Sequence, residues 1–311
     1  MTLTAEQSSN KAKYESAPTA EIIDIIRTAM GEGCIRPCHV YDAVDELICR
    51  IQTLENRTKR NCDIQWPRAQ YWDKPWNPIL GCKPCSPACD NCYAREAFTT
   101  RWKQSFDPHE TTRINPPQKG VVFCGNATDL FGEWVDIPQI WSYFAKLFHF
   151  EKDGSPALND ATYLFCTKRV DKMCDALRNY TLMDNAYFGF TAENQEWFNR
   201  RFNTWRAEAK PGVNGWLSAE PLLGPIDLGL HYFAPEDMPF KWVATGCESG
   251  PRRRLCKLEW IESIVDQCRS ANIPVFVKQL DIGGKCERDI TKFPKHLQIR
   301  QVPWAKKGAI K

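Results

Sequence analysis

The chain has 311 residues, 43% of them hydrophobic and 25% charged, with a formal net charge of +3 at pH 7. That length buries a sizeable core in one large or two ordinary domains. The mean hydropathy of −0.48, with no apolar run near the ~18 residues of a spanning helix, excludes a disordered chain and a membrane protein. The polar opening residues show no secretory leader, so a cytoplasmic location is expected. Fifteen cysteines, an odd number, argue against a disulfide framework and bring metal or redox chemistry forward.

Residues 1–18 read as a flexible tail, and residues 19–71 as a helical extension and linker. In the extension Ile22, Ile23, Ile26 and Met30, then Val40, Val44, Leu47, Ile51 and Leu54, recur at helical spacing on either side of Gly31, Gly33 and Pro37. Its Cys34, Cys38, His39 and Cys49 lack the paired spacing of a zinc site and read as thiols of a helical hairpin.

From Trp72 the texture changes. Short apolar runs recur at Trp76–Leu80, Val121–Cys124, Tyr163–Cys166, Tyr187–Phe190, Trp216–Ser218, Trp242–Thr245 and Pro274–Val277. Amphipathic stretches at Ile137–Phe150, Val170–Leu177, Glu193–Ala207 and Glu259–Ala271 separate several of them. Strands alternating with helices predict an α/β fold with a parallel sheet. About six or seven such units over residues 72–285 suit a partial (β/α) TIM-like barrel, followed by a C-terminal segment over 286–311. No Gly-rich dinucleotide or P-loop motif follows any strand.

Polar groups follow nearly every run. They are Gly125, Asn126, Thr128 and Asp129, then Thr167-Lys168-Arg169, Thr191 with Glu193, Ser218 with Glu220, Glu248, and Lys278-Gln279. Parallel α/β folds place their sites at the C-terminal ends of strands, so these residues are expected to share one rim.

The strongest local signal is four thiols within eleven residues, Cys82, Cys85, Cys89 and Cys92. Two such close pairs are cramped for a tetrahedral ion and suit a loop wrapped around an iron–sulfur cube. Cys85-x3-Cys89-x2-Cys92 has the spacing associated with radical S-adenosylmethionine (SAM) enzymes, and Cys82-x6-Cys89-x2-Cys92 is a longer variant. Three thiolates would leave one iron of a [4Fe–4S] cluster open for SAM, whereas four would close it. A structural zinc loop and a closed cluster remain as alternatives at this point.

Trp76-Asn77-Pro78, Gly81-Cys82, Ser86-Pro87 and Cys89-Asp90-Asn91-Cys92-Tyr93-Ala94 together resemble the opening motif of the phage Gp37/Gp68 (DUF5131) family, a group of radical-SAM-like proteins. The likeness continues through Asp129-Leu130-Phe131, Thr167-Lys168-Arg169, Glu193-Asn194-Gln195, Ser218–Pro225, Glu248–Pro251 and Phe276–Gln279, covering about residues 72–285. It implies Cys82, Cys89 and Cys92 as cluster ligands, with Cys85 a bystander or alternative. It also implies SAM as cofactor, contacted by Gly125, Asn126, Thr128 and Asp129 at the amino group. Lys168 or Arg169 would meet its carboxylate, and Thr191 and Ser218 the later parts of the molecule. Glu193, Glu220, Glu248 and Lys278 would then face ribose or substrate.

The implied reaction is radical modification or rearrangement of a modified pyrimidine in phage DNA, in the host cytoplasm, with an external reductant of flavodoxin or ferredoxin type. Lesion repair resembling spore photoproduct lyase belongs to the same class, and a nucleic-acid-binding module without chemistry is the contrasting reading. Trp66, Trp72, Trp76 and Trp102 flank the thiol loop and could stack on a base. Basic groups at Arg57–Arg60, Arg200-Arg201, Arg252–Arg254 and Lys306, Lys307 and Lys311 could meet phosphates. The sequence departs from the family pattern at Cys247, often glycine, and at Leu280–Gly284, where Trp-Gly is usual.

Overall fold

Seven of the strands run parallel because each apolar run is followed by a connection that carries the chain back across the sheet. The computed structural model describes residue 66 and residues 68–304, apart from 113–114, 148, 151–155, 158–159 and 182. The expected tail over 1–18, the helical hairpin with Cys34, Cys38, His39 and Cys49, and the basic groups at 57–60 and 306–311 lie outside the described residues.

In chain order the elements are β1 (Lys74–Trp76), β2 (Ile79–Leu80), α1 (Tyr93–Glu96), β3 (His109–Glu110), β4 (Lys119–Cys124) and α2 (Ile137–Leu147). There follow β5 (His149–Phe150), β6 (Pro156–Ala157), β7 (Asp160–Thr167), α3 (Val170–Arg178), β8 (Ala186–Thr191) and α4 (Gln195–Glu208). The last are β9 (Asn214–Ala219), β10 (Trp242–Gly246), α5 (Leu258–Ser270), β11 (Val275–Ile282) and β12 (Lys285–Glu287). The main sheet has eight strands in the order β1-β4-β7-β8-β9-β10-β11-β12. All neighbours pair parallel except the β11–β12 hairpin.

The seven parallel strands agree with the six or seven units expected, but the sheet is a curled half-barrel. Its edges, β1 and β12, stay apart in the strand order instead of closing on each other. The expected strand Trp76–Leu80 divides at Asn77-Pro78, because proline has no N–H for the ladder. Beyond it β2 leaves the main sheet and pairs antiparallel with β3. Between β9 and β10 the connection uses short 3₁₀ turns at Leu230–Tyr232 and Pro235–Asp237.

Alternation along the strands sorts side chains to two faces. Val122, Phe165, Phe188, Leu217, Val243 and Val277 pack with the helices on the convex side. The intervening Val121, Leu164, Trp216, Trp242 and Phe276 point to the concave side, where Tyr71, Trp72 and Val302 complete a second core. Trp216 and Trp242 stand opposite each other in the β9–β10 register. The Trp216 indole donates to the Phe165 carbonyl at 2.9 Å. It crosses Gly189, where an added Cβ would lie 2.6 Å from the indole nitrogen, so glycine is required there. This aromatic layer is a floor. The next inward residues, two positions further along their strands, are Cys166, Ser218 and Lys278.

Candidate functional site

Above the floor lies a cavity of about 180 Å³, walled by Tyr71, Trp72 and Phe123 and by the loops after the parallel strands. Cys82, Cys89 and Cys92 line it, as do Gly125, Asn126, Thr128, Asp129, Lys168, Thr191, Ser218, Glu220 and Lys278. An adjoining hollow of about 130 Å³ shares Cys92, Lys168, Glu220 and Lys278 and adds Cys247 and Glu248. Cys85 and Glu193, among the residues singled out in the sequence, line neither.

The thiol loop is shaped by its first residue. Gly81 has φ +86°, and a Cβ there would meet the Asp107 carbonyl oxygen at 2.2 Å, so only glycine turns the chain at this point. Its backbone is stitched to the loop after β4. Gly81 N donates to the Ala127 carbonyl at 3.1 Å, and Thr128 Oγ1 to the Gly81 carbonyl at 2.6 Å. Asn77 reaches the same loop, accepting from Ala127 N at 3.0 Å and donating to Asn126 Oδ1 at 2.8 Å. A 3₁₀ turn at Pro87–Cys89 and the start of α1 then direct Cys89 and Cys92 inward.

The thiols differ electrically. A hydrogen bond from Cys85 pulls the Cys89 pKa down to about 4 against the effect of burial, with Lys168 also favouring the thiolate. Burial, and then Asp129, push Cys82 up to about 12. Burial opposes charge on Lys168, yet Cys89 and Glu193 outweigh it and raise its pKa. Among the described residues the Lys168 ammonium makes no ion pair, and no three His, Cys, Asp or Glu side chains gather tightly enough for a single metal ion.

The carboxylates divide by their partners. Asp129 is buried with both oxygens engaged: Oδ1 accepts from Phe131 N and Thr167 Oγ1, and Oδ2 from Lys168 N and Arg169 Nη1. It therefore fixes the rim around Lys168. Glu193 is fully buried behind the cavity, paired with Arg201 at 2.6 Å, and its Oε1 has no hydrogen-bond partner. Glu220 faces the cavity in an ion pair with Lys278 at 2.8 Å and accepts from Tyr71 Oη at 3.2 Å. The Lys278 ammonium sits 5.4 Å from the Tyr71 ring centre and 5.5 Å from that of Trp72. Burial and Glu220 together raise the Tyr71 pKa well above the usual phenol value.

Glu248 is buried and holds the thiol loop down. It accepts from Arg254 N at 2.8 Å, from Arg254 Nη2 at 2.6 Å and from Asn91 Nδ2 at 3.1 Å. Arg254 in turn donates to Asp90 Oδ2 at 3.3 Å and the Pro87 carbonyl at 2.9 Å. At the other end of the loop Arg169 donates to the Lys83 carbonyl at 3.2 Å. The sequence offers Arg200-Arg201 and Arg252–Arg254 as groups that could meet phosphates, and in the structure these arginines have carboxylate partners. Arg201 is buried on Glu193, Arg254 binds the buried Glu248 while staying partly exposed itself, and the exposed Arg252 pairs with Glu96 at 2.9 Å. Tyr71 was placed in a linker, and the clamp of Arg254 and Asn91 was missed. Only the spacing of Asn91 between Cys89 and Cys92 hinted at it.

A family model described as a protein of unknown function (DUF5131) matches residues 67–303. The chain belongs to the DUF5131 family. The match takes in Tyr71 at one end and Val302 at the other, so the DUF5131 region includes both flanking pieces of the aromatic floor. Searches of curated proteins and of solved structures return no match. Among the described residues, no helix of this DUF5131 chain is long and apolar enough to cross a membrane.

Proposed function

We propose that the chain is a radical SAM enzyme whose [4Fe–4S] cluster is held by Cys82, Cys89 and Cys92. The observation that carries this reading is that these three thiols open on one cavity at the C-terminal rim of a parallel half-barrel, beside Lys168. A cube of four irons and four sulfides is wider than an ion, so its thiolates are spread along a loop and need not converge on a point. The half-barrel is then read as a partial TIM-like barrel. When bound, the cluster and SAM supply one-electron cleavage of a carbon–sulfur bond and a 5′-deoxyadenosyl radical.

This chain's residues would do the rest. Cys89 is poised as a thiolate by Cys85 and Lys168. Lys168, free of any ion pair among the described residues, would meet the SAM carboxylate. Asp129, its oxygens already engaged, would keep that lysine's backbone in place. Backbone carbonyls of the loop after β4, with Thr191 and Ser218, line the space left for the remainder of SAM. The Glu220–Lys278 pair would bind polar groups of the substrate, while the Tyr71 and Trp72 faces offer a stacking surface to a base. A modified pyrimidine of phage DNA is the proposed substrate, and a flavodoxin or ferredoxin in the host cytoplasm the proposed electron donor.

Anaerobic reconstitution with iron and sulfide, followed by EPR of the reduced protein with and without SAM, tests the reading. The wild type and Cys85→Ala should give a [4Fe–4S]⁺ signal that shifts on adding SAM, and Cys82→Ala should lose the cluster. Retention of zinc alone, or a cluster indifferent to SAM, would replace it with a nucleic-acid-binding module built on a closed thiol site.

A further inference from the structure

Two cysteines outside the thiol loop, 39 positions apart in sequence, meet in space. Cys247, just after β10, has its Sγ 3.9 Å from the Sγ of Cys286 on β12. Both are held on ordered backbone. Cys247 N donates to the Gln279 carbonyl at 3.2 Å, and Gln279 Nε2 returns a bond to the Cys247 carbonyl at 2.7 Å. Cys286 stands opposite Asp281 in the β11–β12 ladder. Gly283 and Gly284, with φ +55° and +72°, close that hairpin. A disulfide needs sulfurs about 2.05 Å apart, so a shift of roughly 2 Å would join them. Cys247 is 2% exposed, whereas Cys286 is half-buried.

We propose that Cys247 and Cys286 are a redox-active dithiol that exchanges two electrons with an external dithiol–disulfide partner, Cys286 being the attacking sulfur. In the oxidising direction the Cys286 thiolate attacks one sulfur of the partner's disulfide and releases the other as a thiolate. Cys247 then loses its proton and attacks Cys286 Sγ, expelling the partner's remaining thiolate. The chain's thiolate–thiol pair becomes a disulfide, the partner's disulfide becomes a thiolate and a thiol, and the one proton lost by Cys247 is the one gained there.

The surroundings assign these roles. The hydrogen bond from Cys247 brings the Cys286 pKa down to about 6 against burial, and Arg288, Arg253 and Lys278 act in the same direction. Cys247 is raised by that bond, by burial, and by Cys286, Cys256 and Asp281 nearby. The half-buried Cys286 is thus the sulfur favoured as thiolate, and the buried Cys247 the resolving thiol. Closing the bond would draw in the residue next to Glu248, whose carboxylate holds Asn91 and Arg254 on the thiol loop. The dithiol does not depend on the cavity binding a cluster or SAM.

The full-length chain would be equilibrated with glutathione at graded reduced-to-oxidised ratios, quenched with acid, alkylated and mapped by proteolysis and mass spectrometry. The expected result is a Cys247–Cys286 linked peptide whose yield follows the ratio and which dithiothreitol removes. It should be absent in Cys247→Ser and Cys286→Ser and unchanged in Cys256→Ser. At pH 6.5 Cys286 should alkylate readily, and Cys247→Ala, which removes the hydrogen-bond donor, should slow it on the order of tenfold or more. No linked peptide at any ratio, linkage of Cys286 to Cys256 instead, or an alkylation rate indifferent to Cys247→Ala would overturn the proposal.

Discussion

The two ends of the thiol loop are both held by an arginine, yet in different surroundings. At the entry, Arg169 and Asp129 pair at 3.1 Å with 9% and 8% of their side chains exposed. At the exit, Arg254 is 34% exposed and only its partner Glu248, at 3%, is buried. The entry clamp is part of the core that joins β4 to β7. The exit clamp lies across a surface seam between the loop and the segment after β10. Removing Asp129 from the first leaves the buried Arg169 with only the exposed Glu133, at 2.7 Å, as counter-charge, while Arg254, once Glu248 is lost, can turn to water.

Asp129→Ala should therefore have the largest effect. It removes one of the two carboxylates paired with Arg169, leaving Glu133, and unpairs the buried donors Phe131 N, Thr167 Oγ1 and Lys168 N, so a loss of about 3–5 kcal/mol is expected in denaturant unfolding. A loss under 1 kcal/mol would mean that the entry network is not what joins the strands. Glu248→Gln should cost less, about 1.5–3 kcal/mol for its charged hydrogen bonds, and act locally. Faster alkylation of Cys89 and Cys92 with little change in the global transition would mark it.

The same clamp carries a pH dependence. Burial alone would raise the Glu248 pKa, but bonds from Arg254 and Asn91 outweigh it and hold it below the ordinary value. Its contribution is complete above the unfolded glutamate pKa of about 4.3 and is lost as pH falls through the lower folded value. Thiol-loop protection in wild type should weaken over that acid range, and in Glu248→Gln it should be flat. Asn91→Ala should show the smallest change, about 1 kcal/mol, read as a modest rise in Cys89 reactivity at neutral pH.

Strands and helices were legible because they depend on neighbours a few residues away. Helix α4, for example, starts where Asn194 caps Trp197 N at 3.1 Å. The rim was legible for the same reason, since inward residues follow the floor at a period of two. Three things were not. Pro78 breaks a run that hydrophobicity alone makes continuous. Tyr71 and Val302 enter the concave core from outside the βα repeat, so no periodicity announces them. The clamps and the Cys247–Cys286 contact join residues far apart in sequence, such as Asp90 with Arg254, 164 positions apart. Charge at either position alone reads as solvated surface.

The aromatic floor also has an optical consequence. Trp216 and Trp242 lie 5.0 Å apart, Trp242 is 5.0 Å from Trp304 and 4.9 Å from Tyr71, and Tyr71 is 4.9 Å from Trp72. Rings so close and so rigidly oriented couple their transitions, giving the interior a chiral near-ultraviolet signature of its own. Tyr71 and Trp72 are the end of that array exposed to the cavity, so any molecule that settles against them perturbs the spectrum. The protein carries a built-in, label-free reporter of whatever enters.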